Sequence, residues 1–453
     1  MERTKENSPS ILLFPWLGIG HVNPFLALAK KLSKMNFHIY FLSTPIILKS
    51  IKKTLDKNSS SNNFPIQLVE FHLPYLHKLP PHHHTTNGLP PHLNSTLIQA
   101  FQMASSKFPS IIETLKPNLI IYDGFQPWAS TIASSCNIHA IMFFVSSTSN
   151  LAYLYHQFLH GIPSLTSFPF SSLYLHDYEI KKLGMQPIEP RDDKAFGYII
   201  LKSFEQSHDI VLLNTFRETE GKYIDYVSTI GNKELIPIGP LILEEAIGEE
   251  EHFVTIQSWL DKKEKCSCVY VSFGSERFFS KQEIEEIASG LELSKVNFIW
   301  TIKFTIGVNT TIEEMVPQGF LESTNGKGMV IEGWVPQTQI LNHSSIGGFV
   351  THCGWNSILE SMSFGVPIIA MPMNHDQPFN SRLVEELGIG VEILRGENGE
   401  IKREDVAKGI GKVVGEMTRK EVNLKARELS EKIKMKGEKV IDEGVKKLLK
   451  LLC

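Results

Sequence analysis

The sequence predicts an α/β protein of two domains, each a parallel sheet wrapped by helices. Three observations carry that expectation. A chain of 453 residues is too long for one ordinary core. Short apolar runs alternate with helical patterns along most of its length, the signature of strands joined by helical crossovers. A Gly239-Pro240 break then leads into Glu244-Glu245-Ala246-Ile247-Gly248-Glu249-Glu250-Glu251, whose acidic density reads as a linker. The expected divisions are a first domain at residues 1–240, a linker at 241–254, a second domain at 255–435 and a terminal helix at 436–453.

In the first domain, strands are expected at residues 11–16, 38–43, 66–71, 119–122, 140–145, 210–214 and 235–238, with helices between most of them. Residues 57–63 read as a solvated connector. The Pro- and His-rich loop 79–91 carries His82, His83 and His84 in a row. Adjacent side chains splay apart in an extended loop and no carboxylate neighbours them, so the loop is expected to be the mobile rim of a cleft and no metal site. No charged residue occurs between Asp123 and Asp177, but Pro, Ser, Asn and His break that run too often for a span of about 20 apolar residues. Its irregular continuation at 161–195, with Phe168, Phe170 and Tyr174, has the character of a lid or binding wall, with a packed surface excursion as the plain alternative. Second-domain strands are expected at 268–273, 297–303, 329–333, 347–351 and 367–371. The tail from 403 to 452 is helical, with Lys and Glu paired across its turns on a solvated face.

With 42% hydrophobic and 21% charged residues and a net charge of −4, the chain reads as soluble and globular, without membrane insertion and without the basic bias of a nucleic-acid partner. The mixed-charge start Met1 to Asn7 lacks the pattern of a signal peptide. Five cysteines, odd in number and without metal-ligand spacing, fit reduced thiols and a cytoplasmic location. The N-x-[ST] triplets at Asn58, Asn94 and Asn309 are then expected to be unused, and a monomer is expected.

After the first strand comes Leu17-Gly18-Ile19-Gly20-His21-Val22-Asn23-Pro24. It is no dinucleotide fingerprint: the pattern needs glycine where Asn23 stands, and the next strand ends in Ser43-Thr44 instead of an acid, which disfavours an oxidoreductase. The loop does offer His21 at the carboxyl end of a strand, where open sheets bind ligands. Asp123 stands at the end of another strand of the same sheet and can fix the tautomer of a histidine base. A packing histidine and a helix-capping aspartate are the plain alternatives. No D-x-D occurs, against a design in which paired aspartates hold a cation, and no G-x-S-x-G elbow occurs.

The densest cluster of polar types lies between Trp334 and Gln377. An apolar strand leads through His352 and Cys353-Gly354 into Trp355-Asn356-Ser357, the start of a helix whose backbone N–H groups suit phosphate. Glu360, one step further on that helix, can accept from two vicinal hydroxyls. A second strand ends in Asn374-His375-Asp376-Gln377. An aromatic plane, phosphate donors, a diol acceptor and terminal polar groups together describe a site for a nucleotide-sugar.

At these residues the chain resembles the plant UDP-dependent glycosyltransferases, whose signature box matches from Trp334 to Gln377. The resemblance implies two Rossmann-like domains facing a cleft, the GT-B type, with the last helix crossing back to the N-terminal domain. It implies that Trp334 stacks on uracil with Val335 beside it, that Gln337 and Glu360 hold the ribose, and that His352, Asn356 and Ser357, with Gly354 and Ser275, bind the diphosphate. Trp355, Asp376 and Gln377 would face the sugar, and a closing Gln goes with glucose. His21 and Asp123 would be the catalytic pair of an inverting displacement from UDP-glucose that needs no metal or other cofactor. Tyr122-Asp123-Gly124-Phe125-Gln126-Pro127-Trp128 and Ser272-Phe273-Gly274-Ser275-Glu276 look most like the branch that adds sugar to a flavonoid or triterpenoid glycoside, although Arg277-Phe278 departs from it. Glucosylation of an aglycone and a non-catalytic nucleotide-sugar-binding protein are the alternatives.

Overall fold

The computed structural model describes residues 8–56, 66–161, 167–183, 196–243, 251–304, 310–415 and 419–451. The connector at 57–63, most of the acidic linker, Asn58 and Asn309 lie outside them. The chain divides into two compact units. Unit 1 comprises Met1–Phe168, Gln186–Ala246 and Gly437–Cys453, and unit 2 comprises Pro169–Met185 and Ile247–Lys436.

Unit 1 holds seven parallel strands: β1 (Ser10–Phe14), β2 (His38–Ser43), β3 (Ile66–Glu70), β4 (Leu119–Tyr122), β5 (His139–Phe144), β6 (Ile210–Leu213) and β7 (Glu234–Pro237), in the order β3-β2-β1-β4-β5-β6-β7. Unit 2 holds six, β8 (Cys268–Ser272), β9 (Asn297–Ile302), β10 (Gly328–Glu332), β11 (Ile346–Thr351), β12 (Ile368–Ala370) and β13 (Gly390–Glu392), in the order β10-β9-β8-β11-β12-β13. A strand covered on both faces by helices must be apolar throughout. Accordingly β4, β6, β8 and β11 are buried at every position, whereas the edge strands β3 and β10 mix exposed and half-buried residues.

The expected strands appear with ends shifted by a few residues, and one more is present. The three residues of β13 are too few for a periodic signal and pair only with β12. β1 stops at Phe14 instead of Trp16, because the Trp16 N–H turns away to donate to the Asp123 carboxylate. Helix Glu251–Leu260 starts inside the stretch expected as linker.

Helix Asp177–Leu183 explains why residues 169–185 group with unit 2. Its Glu179 bonds Arg382 at 2.9 Å, Arg382 in turn meets Glu392, and the Arg382 guanidinium lies 4.6 Å from the Tyr174 ring centroid. The long tail helix, Arg419–Leu451, is more than a solvated face. Val422, Ala426, Leu429 and Ile433 form one buried stripe at helical spacing, and Ile441, Val445 and Leu448 form another in the part that belongs to unit 1. Among the described residues no helix is long and apolar enough to cross a membrane.

Candidate active site

In each sheet the strand order reverses once, at β1/β4 in unit 1 and at β8/β11 in unit 2. Connections leave in opposite directions at such a point and open a crevice at the carboxyl ends of the two strands. The polar residues singled out in the sequence collect at these two places.

In unit 1, β1 and β4 pair from Ile11↔Leu119 to Phe14↔Tyr122, so Asp123 follows directly beyond the last pair. His21 lies in the first turn of helix Ile19–Lys34, whose N-cap is Gly18. The two side chains meet, Nδ1 to Oδ2, at 2.8 Å, with Asp123 3% exposed and His21 28% exposed. The carboxylate also accepts the Trp16 N–H at 3.2 Å and the Gly124 N–H at 2.7 Å. Being an acceptor throughout, it assigns the proton to Nδ1 of His21 and makes Nε2 the acceptor nitrogen. Neither residue is a helix cap: the next helix, Pro127–Ser135, has Gln126 at its N-cap.

Aromatic packing fixes the histidine plane. Phe125 meets the ring edge-on at 5.4 Å and is itself stacked 4.7 Å from Trp16. The rest of the Tyr122–Trp128 motif braces the same corner: Gln126 donates to the Phe14 carbonyl, and Gln102 joins the Phe125 carbonyl to the Trp128 indole.

The His-rich loop, expected as a mobile rim, is instead a second brace. His84 and Thr85 are buried, Thr85 Oγ1 and the Thr86 N–H both donate to the Leu17 carbonyl, and Thr44 Oγ1 donates to that of His84. The loop therefore pins the turn that carries His21. Among the described residues no group of three or more His, Cys, Asp or Glu side chains is arranged to hold a metal.

In unit 2, Gln337 is the hub. Its amide donates to Glu360 at 2.7 Å and to Ser357 Oγ at 3.1 Å, and its carbonyl lies 3.4 Å from the Tyr270 hydroxyl. Burial pushes the Glu360 carboxyl up to about 7, against the pull of the Gln337 bond. Trp334, just past β10, is 52% exposed, while Val335 is buried in the core with Tyr270 and Ile340.

His352 sits directly after β11, between two glycines. A Cβ on Gly274 would stand 2.8 Å from its ring, and one on Gly354 would stand 2.7 Å from it. Gly274 also has φ +77°, so the spacing and the backbone both demand glycine. Burial drives the imidazole down to about 4, opposed by the Asp376 charge and reinforced by Lys303 and His375. In the free protein His352 is thus a neutral donor or acceptor. Helix Trp355–Phe364 begins next, with no side-chain cap, half-buried Asn356 and Ser357 in its first turn and its first N–H groups beyond the reach of any intrahelical acceptor. Trp355 itself is buried, at 4% exposure.

Asp376 and Gln377 open helix Gln377–Glu386. Gln377 Oε1 accepts from the backbone N–H groups of Met373 and Asn374, both at 2.9 Å, which leaves its NH₂ for a further partner. Ser275 is half-buried after Gly274. Arg277 turns away to Glu283 at 2.6 Å, in the capping box of helix Lys281–Ser294.

The sequence reading passed over two residues here. Asn380 donates both to the Cys353 carbonyl and to Asp376, tying the two polar tips together at 2.9 Å each. Its signal was its place one helical turn after Asp376. Tyr270, inside an apolar strand, gave none.

Residues 250–437 match the family described as UDP-glucoronosyl and UDP-glucosyl transferase, and residues 7–243 match the glycosyltransferase N-terminal domain. The chain is 51% identical to a mogroside IIIx synthase of Siraitia grosvenorii over 98% of both chains. It is 45% identical to the flavanone 7-O-glucoside 2''-O-beta-L-rhamnosyltransferase of Citrus maxima, over 100% of this chain and 99% of that one. Its fold is similar to that of UGT73P12 from Glycyrrhiza uralensis, crystallised with glycyrrhetinic acid 3-O-monoglucuronide, with a TM-score of 0.85 at 23% identity over 98% and 96% of the two chains. Two parallel-sheet units of the GT-B fold and a match along almost the whole chain make this protein a glycosyltransferase enzyme, and it belongs to the UDP-glycosyltransferase family.

Proposed function

We propose that the protein transfers glucose from UDP-glucose, with inversion, to a sugar hydroxyl of a small plant glycoside of flavonoid or triterpenoid type. The observation that carries the transfer reading is the 2.8 Å pair of His21 and Asp123, which a protein that merely bound a nucleotide-sugar would not need. His21 takes the acceptor's proton on Nε2, and Asp123 stabilises the imidazolium that results. The acceptor oxygen bonds to C1 of the sugar as the bond from C1 to the β-phosphate oxygen breaks, and that electron pair leaves with UDP. A single displacement of this kind converts an α-linked donor into a β-glucoside.

On the donor side, Trp334 offers an exposed plane for the base, and Glu360 with Gln337 offers a carboxylate and an amide for the ribose diol. The neutral His352, the helix start at Gly354 to Ser357, and Ser275 offer donors for the diphosphate. Asp376 and the Gln377 NH₂ are assigned to the sugar hydroxyls. No metal has a role in this scheme.

The glycoside acceptor is supported by the rhamnosyltransferase relative, whose name specifies a flavanone glucoside as its acceptor. That name also specifies a different sugar, so glucose rests on Gln377 and needs its own test. Incubation with UDP-glucose, UDP-rhamnose and UDP-glucuronic acid, each with a flavonol or triterpenol and with its monoglucoside, decides both points. The expected product is a diglycoside with a new β-glucosidic linkage, visible in the anomeric proton coupling, and formed equally in the presence of a chelator. Transfer only to the free aglycone, or preference for another sugar, overturns the corresponding part of the proposal.

A further inference from the structure

If His352 is neutral, the diphosphate lacks a formal positive charge among the residues assigned to it above. A helix N-terminus is equivalent to only about half a charge, while UDP leaves with more than one.

Lys303 stands where such a charge is wanted. It is the first residue past β9, and β9 pairs with β8 in register up to Ser272↔Thr301, as β8 pairs with β11 up to Thr351↔Ser272. The three adjacent strands therefore deliver Lys303, the Gly274-Ser275 turn and His352 to one edge of the sheet. Lys303 is close enough for its charge to act on the His352 imidazole. It is partly buried, and among the described residues it makes no hydrogen bond and no ion pair. Burial alone shifts its ammonium, downward.

Part-burying a cation without a carboxylate partner costs stability, even where its aliphatic stem packs on apolar surface. The fully buried Arg382 of this unit is matched with Glu179 and Glu392, and the half-buried Arg395 donates to the Gly399 and Pro372 carbonyls. The partner Lys303 lacks is an anion that the described residues do not supply.

We propose that Lys303 is a ligand of the donor's diphosphate and carries the formal positive charge that receives departing UDP. The inference rests on the donor-site reading above and adds a residue that lies outside the Trp334–Gln377 stretch. As the C1–O bond breaks, negative charge grows on the β-phosphate oxygen, and an ammonium ion fixed beside it favours the transition state over the bound donor.

The test is titration of wild-type protein, Lys303→Met and Lys303→Arg with uridine, UMP and UDP, together with thermal melts and steady-state kinetics. Lys303→Met is expected to bind UDP about ten- to a hundred-fold more weakly, to bind uridine within about twofold of wild type, and to lose turnover. In the absence of ligand it is expected to melt at a higher temperature than wild type, the opposite of what loss of a structural lysine would do. Lys303→Arg is expected to keep most of the UDP affinity. Wild-type UDP affinity in Lys303→Met overturns the proposal, as does a parallel loss for uridine and UDP, which would make Lys303 structural. If the wild type binds UDP no better than uridine, the donor-site reading itself is what fails.

Discussion

The two units use the same place in their sheets for opposite purposes. In unit 1 the reversal at β1/β4 holds an acid and a base already in contact, His21 against a carboxylate whose remaining bonds go to the Trp16 and Gly124 N–H groups. In unit 2 the reversal at β8/β11 holds groups that burial drives toward their neutral forms, His352 down to about 4 and Glu360 up to about 7. On the proposed reading the first site is complete and needs only a proton to move. The second is unfinished, and the charge that completes it is to come with the ligand. The difference predicts that substitutions at the unit 1 pair act on the rate, whereas those at the neutral groups of unit 2 act on affinity and Lys303 acts on both.

The largest expected effect tests the first half of that statement. His21→Ala is expected to lower kcat by about three to four orders of magnitude while leaving UDP affinity unchanged. Asp123→Asn is expected to cost a hundred-fold or more, because an amide can impose the wrong tautomer. Asp123→Ala also strands two backbone donors and is expected to lose about 1–3 kcal/mol of stability by denaturant titration. Retention of full turnover by His21→Ala would remove the catalytic assignment and leave unit 1 with a structural histidine.

The next effect tests the second half. Gly274→Ala and Gly354→Ala each put a methyl group into the His352 ring, and at Gly274 the alanine must also hold a left-handed backbone. Strain of this kind costs about 1–3 kcal/mol, so UDP affinity measured by calorimetry is expected to fall about tenfold or more. Unchanged affinity would show that His352 is no part of the donor site. Gln337→Ala follows: it leaves Glu360 without its protein partner and is expected to raise KM for the UDP-sugar about tenfold, with kcat within about twofold.

The contrast between the units also explains what was legible in the sequence. The candidate donor residues other than Ser275 and Lys303 lie within one run of 44 positions, where a strand, a turn and a helix start follow each other in order, so their types and spacing announced the candidate site. His21 and Asp123 are 102 positions apart, and only the parallel register of β1 and β4 brings them together. Their ends-of-strand positions were readable, but their contact was not. Lys303 was hidden for the same reason, as the last residue of an ordinary apolar run whose meaning depends on which strands flank it. Loop 79–91 misled because its prolines, histidines and glycine have the composition of solvated chain, while its anchors are one hydroxyl and one backbone N–H aimed at Leu17 and one carbonyl that accepts from Thr44. In the tail, alternating Lys and Glu masked an apolar stripe of only one residue per turn.

The smallest predicted effect is also the most specific. A ribose diol donating to Glu360 favours the carboxylate over the acid, so binding must release the proton that the free protein holds below about pH 7. Affinity should therefore be full above that pH and fall as the pH drops through it, by about tenfold between pH 8 and pH 6. Uridine is the ligand for this measurement, because it has no phosphate to titrate over the same range. His352, at about 4, stays neutral throughout and does not contribute. Calorimetry in two buffers of different ionisation enthalpy should show proton release near pH 6, and Glu360→Gln should flatten the profile while lowering the affinity plateau. A profile that rises toward low pH would mean that the ligand accepts from a protonated Glu360. The ribose would then be held by a donor, and unit 2 would resemble unit 1 in being finished before its substrate arrives.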